Sequence, residues 1–139
     1  RPPMSNGALY AFNSDLIREP LAGRSVVSPV SPEACIWVQS IDCAVTNLLR
    51  AAALSSDAWG LVRAVTLPAV SVTIAQIIEA LCSVGGERVR ALITFEPNPE
   101  IELTFGRWPR EHPAARARHL GFARDADILE IVRNYAGRC

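Results

Sequence analysis

The chain has 139 residues, half of them apolar and a fifth charged, with 14 acidic side chains against 14 basic ones. That is enough for one packed domain, and a net charge of zero supplies no field to draw in nucleic acid. All 14 bases are arginine, which excludes Schiff-base lysine chemistry, a P-loop and a Tyr/Lys proton relay within these residues.

Taken in chain order, Phe12, Leu16 and Ile17 fall near one face of a helix that Pro20 and Gly23 stop. "SVVSPV" at 25–30 and "CIWVQSI" at 35–41 have strand character. Val45, Leu48, Leu49 and Ala52 then recur at i, i+3, i+4 and i+7, the spacing of an amphipathic helix, with Ser40 or Asp42 available as its N-cap. "LVRAVTL" at 61–67 predicts another strand. Thr73 with Gln76 three residues on is a capping-box pattern, followed by an Ile74, Ile77, Ile78 and Leu81 stripe that Gly85 and Gly86 end. "ALITF" at 91–95 predicts a strand and "PAARARHLG" at 113–121 a short helix. Asp127 and Glu130 repeat the capping box in acidic form before Ile128, Ile131, Val132 and Tyr135, with Gly137 as the stop. Helices and strands interleave, which argues for an α/β or α+β unit.

The cysteines at 35, 43, 82 and 139 form no CxxC pair and have no histidine at ligand spacing. No zinc or redox motif is indicated, and Cys35, Cys43 and Cys82 read as reduced thiols filling the core. The most apolar window, "LPAVSVTIAQIIEALCSVGG" at 67–86, has the length of a membrane span. Glu79 at its centre costs about 2.5 to 3.5 kcal/mol on insertion scales, so no membrane association is expected. Arg1 is followed by turn formers and no apolar run, unlike a signal peptide, and a cytoplasmic location is the expectation.

The opening "RPPMSNGALYAFNSDLIREPLAGR" resembles a stretch in the middle of extended short-chain dehydrogenases/reductases, the NAD-dependent epimerase/dehydratase family. Arg1, Pro2, Asn6, Phe12, Ser14 and the run from Ile17 to Gly23 fall in register without a gap. Similarity continues through "CIWVQSIDCAVTNLLRAAAL", "RAVTLPAVSVTIAQIIEAL", "FEPNPEIE", "WPREHPAARARHLGF" and "DADILEIVRNYAGR". The nearest branch oxidises a hydroxyl of a small sugar acid. The resemblance implies the C-terminal substrate-binding lobe of a Rossmann-type enzyme, with the Rossmann half missing. Residues 1–139 are then a single lobe, in which 1–23 form a junction loop and helix from the Rossmann side and 24–139 the mixed strand and helix lobe.

The family's NAD site rests on a glycine-rich turn, and its chemistry on a Tyr-x-x-x-Lys pair. The eight glycines here never make GxxGxxG or GxGxxG, and there is no lysine. NAD is therefore implied by the family, while binding by this chain alone, and turnover by it, are not expected. The resemblance places Pro2 near the cofactor and Asn6, Asn13 and Ser14 on the substrate side. Asn13 and Ser14 also read as helix-start residues. Cys35 stands where relatives often carry an arginine that grips the substrate's anionic group, a two-bond grip that a thiol cannot make. Asp42 matches a family aspartate and reads as a helix cap.

An arginine cluster lies near 107–118, interrupted by Glu111. It reads as a packed helix rather than a nucleic-acid patch, with Leu120 and Phe122 in the core and Arg116 a lobe contact or a substrate-side residue. His112 and His119, seven apart, make no metal site. Two readings remain open: part of an NAD-dependent dehydrogenase for a sugar acid or sugar derivative, or a free-standing degenerate lobe that binds a metabolite or partner without catalysis. Either way, apolar surface on the helix at 12–22, meant to be covered by the Rossmann sheet, is expected to be exposed and to promote self-association.

Overall fold

The computed structural model describes residues 11–105, 109 and 113–138. The chain runs α1 (Phe12–Leu21), β1 (Val26–Ser28), β2 (Cys35–Val38), α2 (Ile41–Ala53), α3 (Ser56–Trp59), β3 (Val70–Thr73), α4 (Ile74–Gly85), a 3-10 segment (Glu87–Leu92), β4 (Ile93–Phe95), α5 (Pro99–Phe105), α6 (Ala115–His119) and α7 (Ile128–Ala136). The strands form two separate pairs. β1 lies parallel to β4, with Val26 opposite Ile93, and β2 lies antiparallel to β3, with Cys35 opposite Thr73 and Val38 opposite Val70.

Helix α4 is the centre of the packing. Its capping box is complete: Gln76 N–H donates to Thr73 Oγ1 at 3.2 Å and Thr73 N–H to Gln76 Oε1 at 2.9 Å. Two of the helix's orphan donors are thereby satisfied. Ile74, Ile77 and Leu81 are fully buried and meet Leu16 of α1, Ile36 of β2 and Val132 of α7 in one apolar cluster. A smaller cluster joins Ala114, Ala117, Leu120 and Phe122 to Leu54, Trp59, Val65 and Leu67. Leu120 and Phe122 are thus core residues, as expected, and Cys35, Cys43 and Cys82 are free and buried.

Helix α1 ends in a Schellman arrangement. Arg24 N–H donates to Glu19 O and Gly23 N–H to Pro20 O, with Gly23 at φ +74°. The left-handed residue is glycine because a Cβ is disfavoured there. Phe12, Leu16 and Pro20 are buried against the chain's own core. The exposed apolar face expected on this helix is therefore not there.

That face belongs to α2. Ile41, Val45, Leu48 and Leu49 are between 49% and 67% exposed. The buried side of the helix instead carries Cys43 and Asn47. Helical spacing in the sequence locates the stripe but not which way it points. The N-cap is Ser40, whose Oγ accepts from Cys43 N–H at 3.1 Å. Asp42 does not cap the helix: it sits exposed in the first turn and pairs with Arg138.

"LVRAVTL" forms no ladder, and the strand is shifted to Val70–Thr73. The Arg116 guanidinium takes the carbonyls of Trp59, Val62 and Ala64, and Pro68 has no N–H to offer. Pairing begins past the proline, where Val70 and Val72 point inward and Ser71 and Thr73 outward. The acidic capping box at α7 is half formed: Asp127 accepts from Glu130 N–H, but Glu130 reaches back one residue further, to Ala126 N–H. In 67–86 the apolar window divides into β3 and a 12-residue helix, and no helix among the described residues is long and apolar enough to cross a membrane.

Candidate functional site

A cleft of about 290 Å³ opens where α1, the start of α2 and α7 converge. Ser14, Ile17 and Arg18 line it from α1, Gln39, Ser40 and Ile41 from the β2–α2 junction, and Ile131, Asn134, Tyr135 and Arg138 from the C-terminal segment. Apolar walls with a few polar groups are what a small polar metabolite needs for orientation. Its two cations are already engaged, Arg18 by Asp15 and Glu19 and Arg138 by Asp42. Glu19 is held well below the usual carboxylate range, at about 2, first by its bond from Arg24 and then by the one from Arg18.

The floor at the β2–α2 junction is fixed by Asp125. Its buried carboxylate accepts from Ser40 N–H at 2.9 Å and from the Ser40 hydroxyl. Two turns on, Asn47 is fully buried and pairs with Ala123 in both directions, donating to its carbonyl at 2.9 Å and accepting from its N–H at 2.7 Å. Arg50 Nε donates to Leu120 O at 3.0 Å, and its guanidinium comes within 3.1 Å of where a Cβ on Gly121, at φ +79°, would sit. The inner face of α2 is thus a polar clasp on residues 120–125. Burial, and then the Asp125 charge, push the neighbouring Cys43 thiol up.

Of the residues singled out in the sequence, Ser14 lines the cleft. Asn13 is its neighbour on α1, and its Oδ1 is buried with no hydrogen-bond partner among the described residues. Neither residue caps α1, whose N-cap position is Ala11. Cys35 lies elsewhere, on β2, with Sγ 3.2 Å from Ser71 Oγ. Ser71 lines a second, shallower cleft of about 440 Å³ whose charged lining residues are Glu79 and Asp127. Arg116 is committed to three backbone carbonyls at 2.6 to 2.8 Å. Pro2 and Asn6 lie outside the described residues, as do Trp108, Arg110 and His112.

Asn47 and Asp125, which hold the cleft floor, gave no sequence signal of their own. A lone Asn in an apolar helix reads as a solvent-facing residue, and its partner lies 76 residues away. The NAD implied by the resemblance needs open backbone N–H groups at a glycine-lined helix start. The starts of α2, α4 and α7 are each closed by their own capping side chain, Ser40, Thr73 and Asp127.

The fold is that of the C-terminal portion of a Rossmann-type epimerase or dehydrogenase. A nucleoside-diphosphate-sugar epimerase from Agrobacterium tumefaciens superposes with a TM-score of 0.87 at 36% identity, over 99% of this chain and 40% of that one. More specifically, the chain is similar to D-erythronate dehydrogenases: 41% identical over 135 residues to the one from Cupriavidus necator and 33% to the one from Haemophilus influenzae. Each match takes in 97% of this chain, which spans only 42% and 43% of those relatives' lengths. No family model matches the chain.

Proposed function

We propose that the chain supplies the substrate-side lobe of an NAD-dependent oxidoreductase that oxidises a hydroxyl of a small sugar acid. The observation that carries this is the match to the D-erythronate dehydrogenases along 97% of the chain. Asn13, Ser14 and Asn6 are its proposed substrate contacts, with Pro2 on the cofactor side. Asn13 Oδ1 is buried with no partner among the described residues, and a sugar-acid hydroxyl donating to it would satisfy it. Cys35 stands where an arginine would grip the anion, beside a cleft lined by Glu79 and Asp127. In the first cleft an incoming carboxylate would have to share Arg18 with Asp15 and Glu19, or Arg138 with Asp42. Arg116 supports the lobe by tying residues 59–64 to α6. NAD and the proton-transfer groups come with the rest of the enzyme, so residues 1–139 alone are expected to be inactive.

The test joins the part of the Cupriavidus necator enzyme that lies outside the match to residues 1–139 and follows NADH formation with D-erythronate. The joined chain is expected to turn over, the isolated chain to stay at background, and Asn13→Ala to raise KM several-fold. Turnover by the isolated chain would overturn the division of labour. A folded joined chain that neither turns over nor gains thermal stability from D-erythronate would leave the degenerate, non-catalytic lobe as the better reading.

A further inference from the structure

In the cleft between α1, the start of α2 and α7, the charged lining groups are committed and the uncharged ones are open. Arg18 is held by Asp15 and Glu19, Glu19 also by Arg24, and Arg138 by Asp42. Three cations are thereby matched by three anions, so the wall carries guanidinium groups without a net charge to draw in an anion. Gln39 gives its amide nitrogen to Pro68 O and Cys43 Sγ, and the Ser40 hydroxyl donates to Asp125. The side chains of Ser14 and Asn134, in contrast, make no hydrogen bond among the described residues. A hydroxyl and a carboxamide are what this cleft has left to offer.

A carboxylate gains little there. To bond Arg18 it must displace Asp15 or Glu19, and the displaced anion is left facing it. The Glu19 carboxyl, held at about 2 by Arg24 and then Arg18, does not give up its charge to make room. A ligand hydroxyl needs no such exchange, since it donates and accepts at once and pairs with an amide or another hydroxyl. Ile17, Ile41 and Ile131 supply apolar wall for the carbon chain that carries it. At about 290 Å³ the cleft is at the small end of ligand pockets, which run from roughly 300 to 1,000 Å³, with room for a short polyol and not for a nucleotide sugar. We infer that this cleft reads hydroxyls: it takes the uncharged polyol end of a short hydroxy acid, held by Ser14 and Asn134, and leaves the carboxylate outside. This deepens the function proposed above and rests on its class of substrate.

Amide NMR of residues 1–139 tests it with three probes: D-erythronate, meso-erythritol, which has hydroxyls without the charge, and acetate, which has the charge without hydroxyls. D-erythronate and meso-erythritol are expected to shift the same amides, at 39–41 and 131–138, with affinities within about threefold and no loss between low and physiological salt. Acetate should shift none of them. Asn134 is exposed, so Asn134→Ala should keep the wild-type melt while weakening both polyol ligands alike, by about fivefold, the worth of one hydrogen bond. Shifts from acetate, or D-erythronate binding that meso-erythritol does not match and that salt weakens, would overturn the inference by placing the carboxylate in the cleft. Unchanged affinity in Asn134→Ala, or no shift from either polyol ligand, would overturn it too. Turnover by the joined chain is a separate readout: its absence with these shifts intact would remove the oxidation and keep the cleft's selectivity, and turnover without the shifts would do the reverse.

Discussion

At the scale of single residues, the polar clasp on α2 carries more than its size suggests. Asn47 stands in for a strand partner, giving the Ala123 backbone one donor and one acceptor inside a dry site. Asn47→Ala leaves both backbone groups buried and unpaired, which costs about 2 to 4 kcal/mol. Urea unfolding checks it, and a loss under ~0.5 kcal/mol would show that water reaches the site. Asn47→Asp is expected to be no better, since it removes the donor to Ala123 O and adds a charge near Asp125. Glu19 makes a smaller, pH-dependent contribution. Its folded pKa, about 2, lies below the ordinary 4.5, so the stability it supplies is full above about pH 4.5 and is lost as pH falls toward 2. The group is partly solvated, so the difference between wild type and Glu19→Gln is expected to be about 1 kcal/mol or less at neutral pH. Melting both proteins from pH 7 downward should show a constant gap that begins to close near pH 4.5. A gap that widens on acidification would contradict the sign.

At the scale of elements, α4 was legible in full and α2 only in half. For α4 the cap, the stripe and the stop agree with one another, and its burial follows because both flanking strands and two helices converge on the same face. Thr73→Ala breaks both arms of the box, since the Gln76 arm depends on the geometry that Thr73 sets. The expected cost is about 1 kcal/mol, and more than Ser55→Ala costs at the exposed four-residue α3. Equal losses in thermal unfolding would mean that the box adds nothing beyond an ordinary cap. For α2, periodicity fixes the stripe but carries no sign, because an apolar face looks the same whether its partner is the chain's own core or another body. What reverses it is Asn47 and Arg50, whose partners at Ala123 and Leu120 lie more than 65 residues along and are invisible to any local window. The misplaced strand has a similar origin. "LVRAVTL" has β-formers enough, but the Val62 and Ala64 carbonyls go to Arg116, and the ladder forms only past Pro68. Of the residues lining the cleft, Ser14 is one that the sequence singles out as a candidate contact, whereas Tyr135 and Arg138 arrive from the far end of the chain.

At the scale of the whole molecule, two apolar clusters of unequal strength are joined through that clasp. The larger ties α1, α4 and α7 around Ile77 and Leu81; the smaller holds Leu120 and Phe122 against Leu54, Trp59, Val65 and Leu67. Much of the smaller cluster is alanine, and a ring pair in it, Trp59 with Phe122, has centroids 6.2 Å apart at a 57° tilt. Its attachment to the rest runs through Asn47, Arg50 and the Ser40–Asp125 bonds rather than through a continuous apolar seam. Fewer buried contacts and a polar joint are the conditions for a unit that opens before the global transition. Phe122→Ala removes the largest side chain of the smaller cluster's buried set, at an expected cost of about 3 to 5 kcal/mol to that unit. Native-state hydrogen exchange should then show amides of residues 54–67 and 114–122 speeding by two orders of magnitude or more. Those of Ile77 to Leu81 should keep nearly their original protection, because their cluster does not contain Phe122. If both groups accelerate together, the clasp transmits the loss and the two clusters unfold as one core.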